Sequence, residues 1–199
     1  MDSLGVVAPP IIGISGPAGS GKDTLARLLH ERYGYAILSL ATPMKRLLNA
    51  RFGWTMEQWE DRKWKETPHY FHGCFQEPGV PPEFFEPLSP RQWAQWLGTE
   101  VGRNTFGKNV WVDALEREWI SLGWPRLVIP DIRFDNEASY VKTQGGFMVR
   151  IERPGTAPVA SHSSESGVSA RLLDAVLGNT DTPDFLLGRL WSTYDALTG

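Results

Sequence analysis

Ile11-Ile-Gly-Ile-Ser-Gly-Pro-Ala-Gly-Ser-Gly-Lys-Asp-Thr24 is the stretch on which the reading of this chain turns. Its first five residues form an apolar run of strand length. Gly16 to Lys22 then matches the spacing G-x-x-x-x-G-K, with glycines at 16 and 21. Glycines so placed let the backbone turn tightly and aim successive N–H groups into one concavity. That concavity suits the phosphates of a nucleotide, with Lys22 as a point charge at the β and γ positions. Beyond the loop, Leu25, Leu28, Leu29 and Tyr33 fall on one helical stripe. A helix starting there adds the positive end of its dipole to the same concavity. A plain Gly/Ser turn would need neither the lysine nor the threonine. Gly16, Ala18, Gly19, Ser20, Gly21, Lys22, Asp23 and Thr24 are therefore the candidate nucleotide ligands. Asp23 occupies the place where a hydroxyl residue usually follows the lysine. Two readings of it stand: it orders metal-bound water, or it favours the first helical turn through the dipole. Thr24 becomes the hydroxyl that can reach a metal ion.

Outward from the loop, apolar runs recur at Ala36–Leu40, Leu127–Pro130, Phe147–Ile151 and Ala175–Leu177. Helical patterns separate them, which predicts a parallel sheet covered on both faces. Helices are expected over Pro43–Phe52, Trp54–Trp64, Val110–Leu122, Asp135–Gln144 and Asp184–Leu197, the last opened by Thr182-Pro183 as cap and first-turn proline. A further helix is expected from Ser89, with Pro90 at its first position and Gln92 three residues after the cap, running to about Arg103. Glu66 to Pro90 carries six prolines and cannot form a continuous helix or a central strand. Its aromatic residues argue for an ordered excursion rather than a disordered one. Arg153 to Gly167 is polar and aperiodic and reads as a mobile loop.

With 199 residues, 41% hydrophobic and 22% charged, the chain reads as one globular domain with a sizeable core. The net charge of −3 argues against a general nucleic-acid surface. The single cysteine, Cys74, allows no disulfide framework and no cysteine-based zinc site. Pro9-Pro10 interrupts the N-terminal apolar stretch, so no signal peptide is expected. No apolar run is long enough to cross a bilayer.

Arg126-Leu-Val-Ile-Pro-Asp131 ends an apolar run in a carboxylate. In a nucleotide-binding sheet such an aspartate emerges beside the phosphate loop, where it can hold Mg²⁺ directly or through water. Transfer between two phosphates gathers dense negative charge, which planar guanidinium groups suit. Lys45, Arg46, Arg91, Arg103, Arg133 and Arg153 are the cationic candidates outside the loop. Arg103 closes the glycine-punctuated Leu97-Gly-Thr-Glu-Val-Gly-Arg103, and Arg153 opens the polar loop. Most of the nine tryptophans belong to packing. Trp93 and Trp96, beside Gln92 and Gln95, have a second reading, as a stacking and hydrogen-bonding wall for a base. Nothing supports a Ser-His-Asp hydrolase or a histidine metal site at His162.

Five elements occur in order: Gly21-Lys-Asp-Thr24, Ala41-Thr-Pro-Met-Lys45, Gln95-Trp-Leu-Gly-Thr-Glu-Val-Gly-Arg103, Pro130-Asp-Ile-Arg-Phe-Asp-Asn-Glu137 and His162-Ser-Ser-Glu165. Together they resemble the deoxynucleoside monophosphate kinase family of tailed bacteriophages, over about Ile11 to Asn179. The resemblance implies an α/β P-loop kinase fold: a five-stranded parallel sheet flanked by helices, an acceptor-binding insertion over 42–108, and a lid-like loop over 153–167. It implies ATP as donor, Mg²⁺ as cofactor, a deoxynucleoside monophosphate as acceptor, and a role in phage DNA synthesis. Lys22, Arg103, Arg133 and Arg153 become the expected catalytic cations. Lys45, Arg46, Gln92, Trp93, Gln95 and Arg103 become the acceptor-side residues, with Thr24 and Asp131 at the metal. Small nucleotides are the expected partners, without stable nucleic-acid or membrane binding, in the cytoplasm of a host cell, and with a homodimer left open. Two other readings compete: a P-loop kinase for another phosphorylated acceptor, similar to the phosphomevalonate kinases, and a nucleotide-binding ATPase that is not a kinase. The chain lacks the N-K-x-D element of a guanine-specific switch.

Overall fold

Ile11, Ile12 and Ile14 are wholly buried, as expected for a strand covered on both faces. In the computed structural model, which describes residues 8–69, 87–155 and 167–199, this strand is β1 (Ile11–Ser15), the centre of a five-stranded sheet. The other strands are β2 (Ala36–Ile37), β3 (Leu127–Ile129), β4 (Phe147–Glu152) and β5 (Ala175–Gly178). Their order is β2-β3-β1-β4-β5, and every pairing is parallel. The expected parallel five-stranded sheet with flanking helices is therefore present. Gly13 pairs with Ile129 on one side and Met148 on the other, so β3 and β4 flank β1. The connections leave β1 and β3 toward opposite sides of the sheet. The carboxyl ends of these two strands are thus the switch point, where open α/β sheets place ligands.

The chain divides into two compact units: Met1–Leu40 with Val112–Gly199, and Ala41–Trp111. The first holds the sheet. Between β1 and β2 runs α1 (Lys22–Tyr33), which ends at Gly34 in the left-handed region that glycine favours. Leu25, Ala26 and Leu29 of α1 join Ile12, Ile14, Val149 and Ile151 in the main core. α8 (Pro183–Thr198) packs onto the same core through Leu186, Leu187, Leu190 and Trp191. Its start follows the expected Thr182 cap, whose hydroxyl accepts from the Phe185 N–H at 3.2 Å. α7 (Asp135–Thr143) connects β3 to β4, and its Tyr140 hydroxyl donates to Glu116 at 3.3 Å. Burial first, and the Glu116 carboxylate second, raise the Tyr140 phenol far above its ordinary value, so it stays a neutral donor.

The second unit is helical. α2 (Thr42–Phe52) is followed by a 3₁₀ turn at Glu57–Glu60 and α3 (Arg62–Glu66). The expected single helix over Trp54–Trp64 is split at Asp61. That residue takes an extended backbone and caps α3, accepting from the N–H groups of Lys63 and Trp64. α4 (Pro90–Trp96) begins with the expected capping box. Ser89 Oγ accepts from the Gln92 N–H, and Gln92 Oε1 accepts from the Ser89 N–H at 2.8 Å. The helix does not continue regularly to Arg103. It widens into a π turn over Leu97–Arg103, then passes through α5 (Asn104–Phe106). Gly98 and Gly102 lie within this turn, where neighbouring side chains leave no room for a Cβ. A side chain at 98 would meet the Met44 sulfur, and one at 102 would meet the Trp111 ring. The Trp111 indole also donates to the Gly98 carbonyl at 2.8 Å. α6 (Val110–Ser121) follows. Leu48, Trp59 and Trp93 form the core of this unit, with Phe52, Trp54, Trp64 and Trp96 packed around them.

β2 is shorter than the Ala36–Leu40 run suggests. The Leu38 N–H still bonds the Val128 carbonyl at 3.2 Å. Ser39 and Leu40 then turn away from the ladder onto Asp131. Most of the Glu66–Pro90 excursion, with Cys74, lies outside the described residues, as do 156–166 of the lid-like loop and the His162-Ser-Ser-Glu165 element.

Candidate nucleotide site

The glycine loop leaves the carboxyl end of β1 and enters α1 at Lys22. Gly16, Gly19 and Gly21 all have positive φ, at 133°, 78° and 105°. At two of them space is as restrictive as the backbone angle. A Cβ at Gly16 would run into the Ile151 carbonyl, and one at Gly21 into the side-chain amide of Asn179. The Ser20 N–H donates to the Pro17 carbonyl at 3.2 Å, closing the turn. Ser20 is wholly buried, and its hydroxyl has no hydrogen-bond partner among the described residues. No side chain caps α1 at Gly21. The first N–H groups of a helix have no intrahelical acceptor, so this end presents donors and a positive dipole to an anion. Lys22 Nζ folds back onto the Pro17 carbonyl at 2.6 Å, which keeps the ammonium over the loop. An orphaned hydroxyl, uncapped helix donors and a lysine over one turn fit a polyphosphate. Asp23 is exposed in the first turn and Thr24 is half-buried.

Asp131 follows β3, next to β1. The Ile132 N–H donates to the Ile14 carbonyl at 3.1 Å, which holds this turn beside the residues entering the loop. One Asp131 oxygen accepts from Ser39 Oγ at 2.7 Å and the other from the Leu40 N–H at 3.0 Å. Asp131 therefore clips the end of β2. A carboxylate at this place is the kind of oxygen ligand that a hard divalent cation takes, directly or through water. Among the described residues no group of three or more His, Cys, Asp or Glu side chains gathers as a metal cage. The arrangement suits Mg²⁺, which takes one or two protein oxygens beside phosphates and water.

The turn after Asp131 is fixed by Glu137. Glu137 is buried, and its Oε2 accepts from the N–H groups of Arg133 and Phe134 at 2.8 and 3.0 Å. Arg133 itself is exposed, as is Arg153. Asp135 reaches instead to Ser169, accepting from its hydroxyl at 2.6 Å and its N–H at 2.8 Å. These two bonds, the hydroxyl's first, hold the Asp135 carboxyl below its ordinary range, with a smaller pull from the Arg171 guanidinium.

In the other unit, Lys45 lies on α2 with its ammonium 5.5 Å from the centre of the Trp59 ring, and Arg46 is exposed. Trp93 is only 7% exposed and packs against Phe52 and Trp96, with centroids 5.1 and 5.6 Å away. Core packing accounts for it in this arrangement. Gln92 has its carbonyl committed to the helix cap. Gln95 is half-buried. Arg103 ends the π turn and donates to the Lys108 carbonyl at 3.0 Å.

Three residues outside the sequence-derived set shape the nucleotide site: Ser39, Glu137 and Asn179. Asn179 directly follows β5 and Ser39 lies two residues after β2, so the signal was a polar residue at a strand's carboxyl end. Glu137 was legible as the glutamate three residues after a turn.

A family model for deoxynucleotide monophosphate kinase matches residues 80–189. A protein of Acanthamoeba polyphaga mimivirus that carries the name of this kinase is 32% identical over 200 residues, covering 93% of this chain and 96% of the relative. The deoxynucleoside-5′-monophosphate kinase of Escherichia phage T5 is 26% identical, covering 85% of this chain and 89% of the relative. The deoxynucleotide monophosphate kinase of Enterobacteria phage T4 is 27% identical over 112 residues, 55% of this chain and 46% of the relative. Among solved structures, shikimate kinase from Acinetobacter baumannii aligns with a TM-score of 0.48 at 14% identity, over 97% of each chain.

Proposed function

The chain belongs to the deoxynucleotide monophosphate kinase family, and we propose from that membership that it transfers the γ-phosphoryl group of ATP to the 5′-phosphate of a deoxynucleoside monophosphate. A P–O bond forms to an acceptor phosphate oxygen, the bond to the ADP leaving oxygen breaks, and ADP and a deoxynucleoside diphosphate leave. The observation that carries this reading is the Gly16–Thr24 loop, with positive φ at Gly16, Gly19 and Gly21 and the Lys22 ammonium folded over it.

Little covalent chemistry falls to the protein in such a reaction. Positioning and charge stabilisation are its work. The N–H groups at the start of α1 bind the donor's phosphates, and Lys22 follows the charge that develops on the moving group. Thr24 and Asp131 would hold Mg²⁺, the second directly or through water. When bound there, Mg²⁺ offsets the charge on the β and γ oxygens. Ala41–Trp111 supplies the acceptor side, with Lys45, Arg46, Gln95 and Arg103 as its cationic and polar groups. Arg133, and Arg153 at the head of the lid-like loop, add cations that complete the site on acceptor binding and keep water from the γ-phosphate.

The test is ATP consumption and product formation across every deoxy- and ribonucleoside monophosphate, with phosphomevalonate as a control acceptor. The proposal expects diphosphate formation with one or more deoxynucleotides and none with phosphomevalonate. Turnover with phosphomevalonate alone would move the chain to the competing kinase reading, and turnover with no added acceptor would make it an ATPase.

A further inference from the structure

The phosphate loop is held from outside its own sequence. Asn179, directly after β5, donates from Nδ2 to the Ser20 carbonyl at 2.8 Å. Its own N–H donates to the carbonyl of Glu152, the last residue of β4, at 2.7 Å. The preceding carbonyl, Gly178, accepts from Arg189 Nη1 of α8 at 3.1 Å. The backbone of Asn179 is thus anchored to β4 on one side and α8 on the other, and its side chain reaches the loop. Glycine at 21 leaves room for that amide, since a Cβ there would clash with Nδ2.

The consequence follows from the planar trans peptide, in which C=O and N–H point in opposite directions. Fixing the Ser20 carbonyl on Asn179 turns the Gly21 N–H to the opposite side. We infer that Asn179 is a positioning residue for the donor nucleotide: its amide sets the Ser20–Gly21 peptide so that the Gly21 N–H faces the donor's phosphates. The inference rests on reading Gly16–Thr24 as the donor site. Asn179 touches no reacting atom in this account. It prevents the one peptide flip that would replace a donor with a carbonyl oxygen in an anion-binding concavity.

The experiment is calorimetric binding of Mg-ATP to the full chain, to Asn179→Ala and to the near-isosteric Asn179→Asp, with a thermal melt on each. It is paired with KM values for ATP and for whichever of dAMP, dGMP, dCMP and dTMP the wild type accepts. Loss of one orienting hydrogen bond is expected to weaken ATP binding about tenfold in Asn179→Ala. Asn179→Asp should weaken it at least as much, because a carboxylate oxygen then faces the Ser20 carbonyl. The acceptor KM should stay within about twofold, a split that general loosening of the fold would not produce. Asn179→Asp alone decides the matter if the alanine variant fails to fold. ATP binding within about twofold of wild type in a folded variant overturns the role of Asn179 and leaves the donor site standing. Equal weakening of ATP and acceptor overturns it too. Wild-type protein that does not bind ATP at millimolar concentration overturns the donor-site reading and this inference with it.

Discussion

Lys22 is held over the loop by the Pro17 carbonyl, a contact that a negatively charged phosphate can outcompete. If its charge follows the transferring group, Lys22→Ala should lower kcat by at least about a hundredfold, the loss expected on removing one electrostatic donor from a transition state. Steady-state kinetics at saturating substrates checks this, and near-normal kcat would end the assignment. Asp131 is open to two roles, since its oxygens already hold Ser39 and Leu40. Asp131→Asn should raise the Mg²⁺ concentration needed for half-maximal activity. A lowered melting temperature with unchanged Mg²⁺ dependence would leave only the clip on β2. Arg103 should grip the acceptor's monophosphate, which every nucleotide shares. Arg103→Ala is then expected to cut kcat/KM for all accepted nucleotides by a similar factor, whereas Gln95→Ala should change the ranking among bases. An Arg103→Ala enzyme with weakened ATP binding and intact acceptor kinetics would put this arginine on the donor side.

Elements show why some of the sequence was readable and some was not. The loop and α1 were legible because local chemistry demands those residues: strand, tight glycine turn, lysine, helix stripe. The starts of α4 and α8 were legible for the same reason, through Ser89-Pro90 and Thr182-Pro183. The π turn at Leu97–Arg103 was not, because the side chains packed against it lie elsewhere in the sequence. Met44 and Trp111 fill the space that Gly98 and Gly102 leave. The glycines of that motif therefore serve packing, and only Arg103, Gln95 and their neighbours remain to carry chemistry. Asp135 tethers Ser169, just after the lid-like loop, a contact between residues far apart in sequence. Its folded carboxyl is held below the ordinary range, so the tether's contribution is complete above the ordinary value of about 3.9 and is lost as the pH falls through the lower folded value. Amide protection at Ser169 should therefore be higher in the wild type than in Asp135→Ala above the ordinary carboxylate range, and the two should converge once acid protonates the folded carboxyl. Equal protection in the two proteins would dismiss the tether.

At the scale of the molecule, apolar patterning was enough for the sheet and its covering helices, because each central strand is buried on both faces and each helix on one. Leu29 lies wholly inside the core shared by α1, α8 and the sheet. Leu29→Ala should cost about 2–5 kcal/mol in a denaturant titration, and a smaller loss would mean that the core closes around the gap. Strand ends were less legible than strands: Ser39 bonds Asp131 and Asn179 bonds the Ser20 carbonyl, pairings between distant residues that the β2-β3-β1-β4-β5 order brings together. The composition of the Ala41–Trp111 unit announced aromatic packing without saying which side chains would remain for an acceptor. Among the described residues no helix is long and apolar enough to cross a membrane. The central claim, transfer between two nucleotides, is tested most directly by following the label of [γ-³²P]ATP with and without a deoxynucleoside monophosphate. The account predicts label in the β-phosphate of a deoxynucleoside diphosphate, formed only with acceptor present and lost in Lys22→Ala. Label released as inorganic phosphate at the same rate with or without acceptor would contradict it.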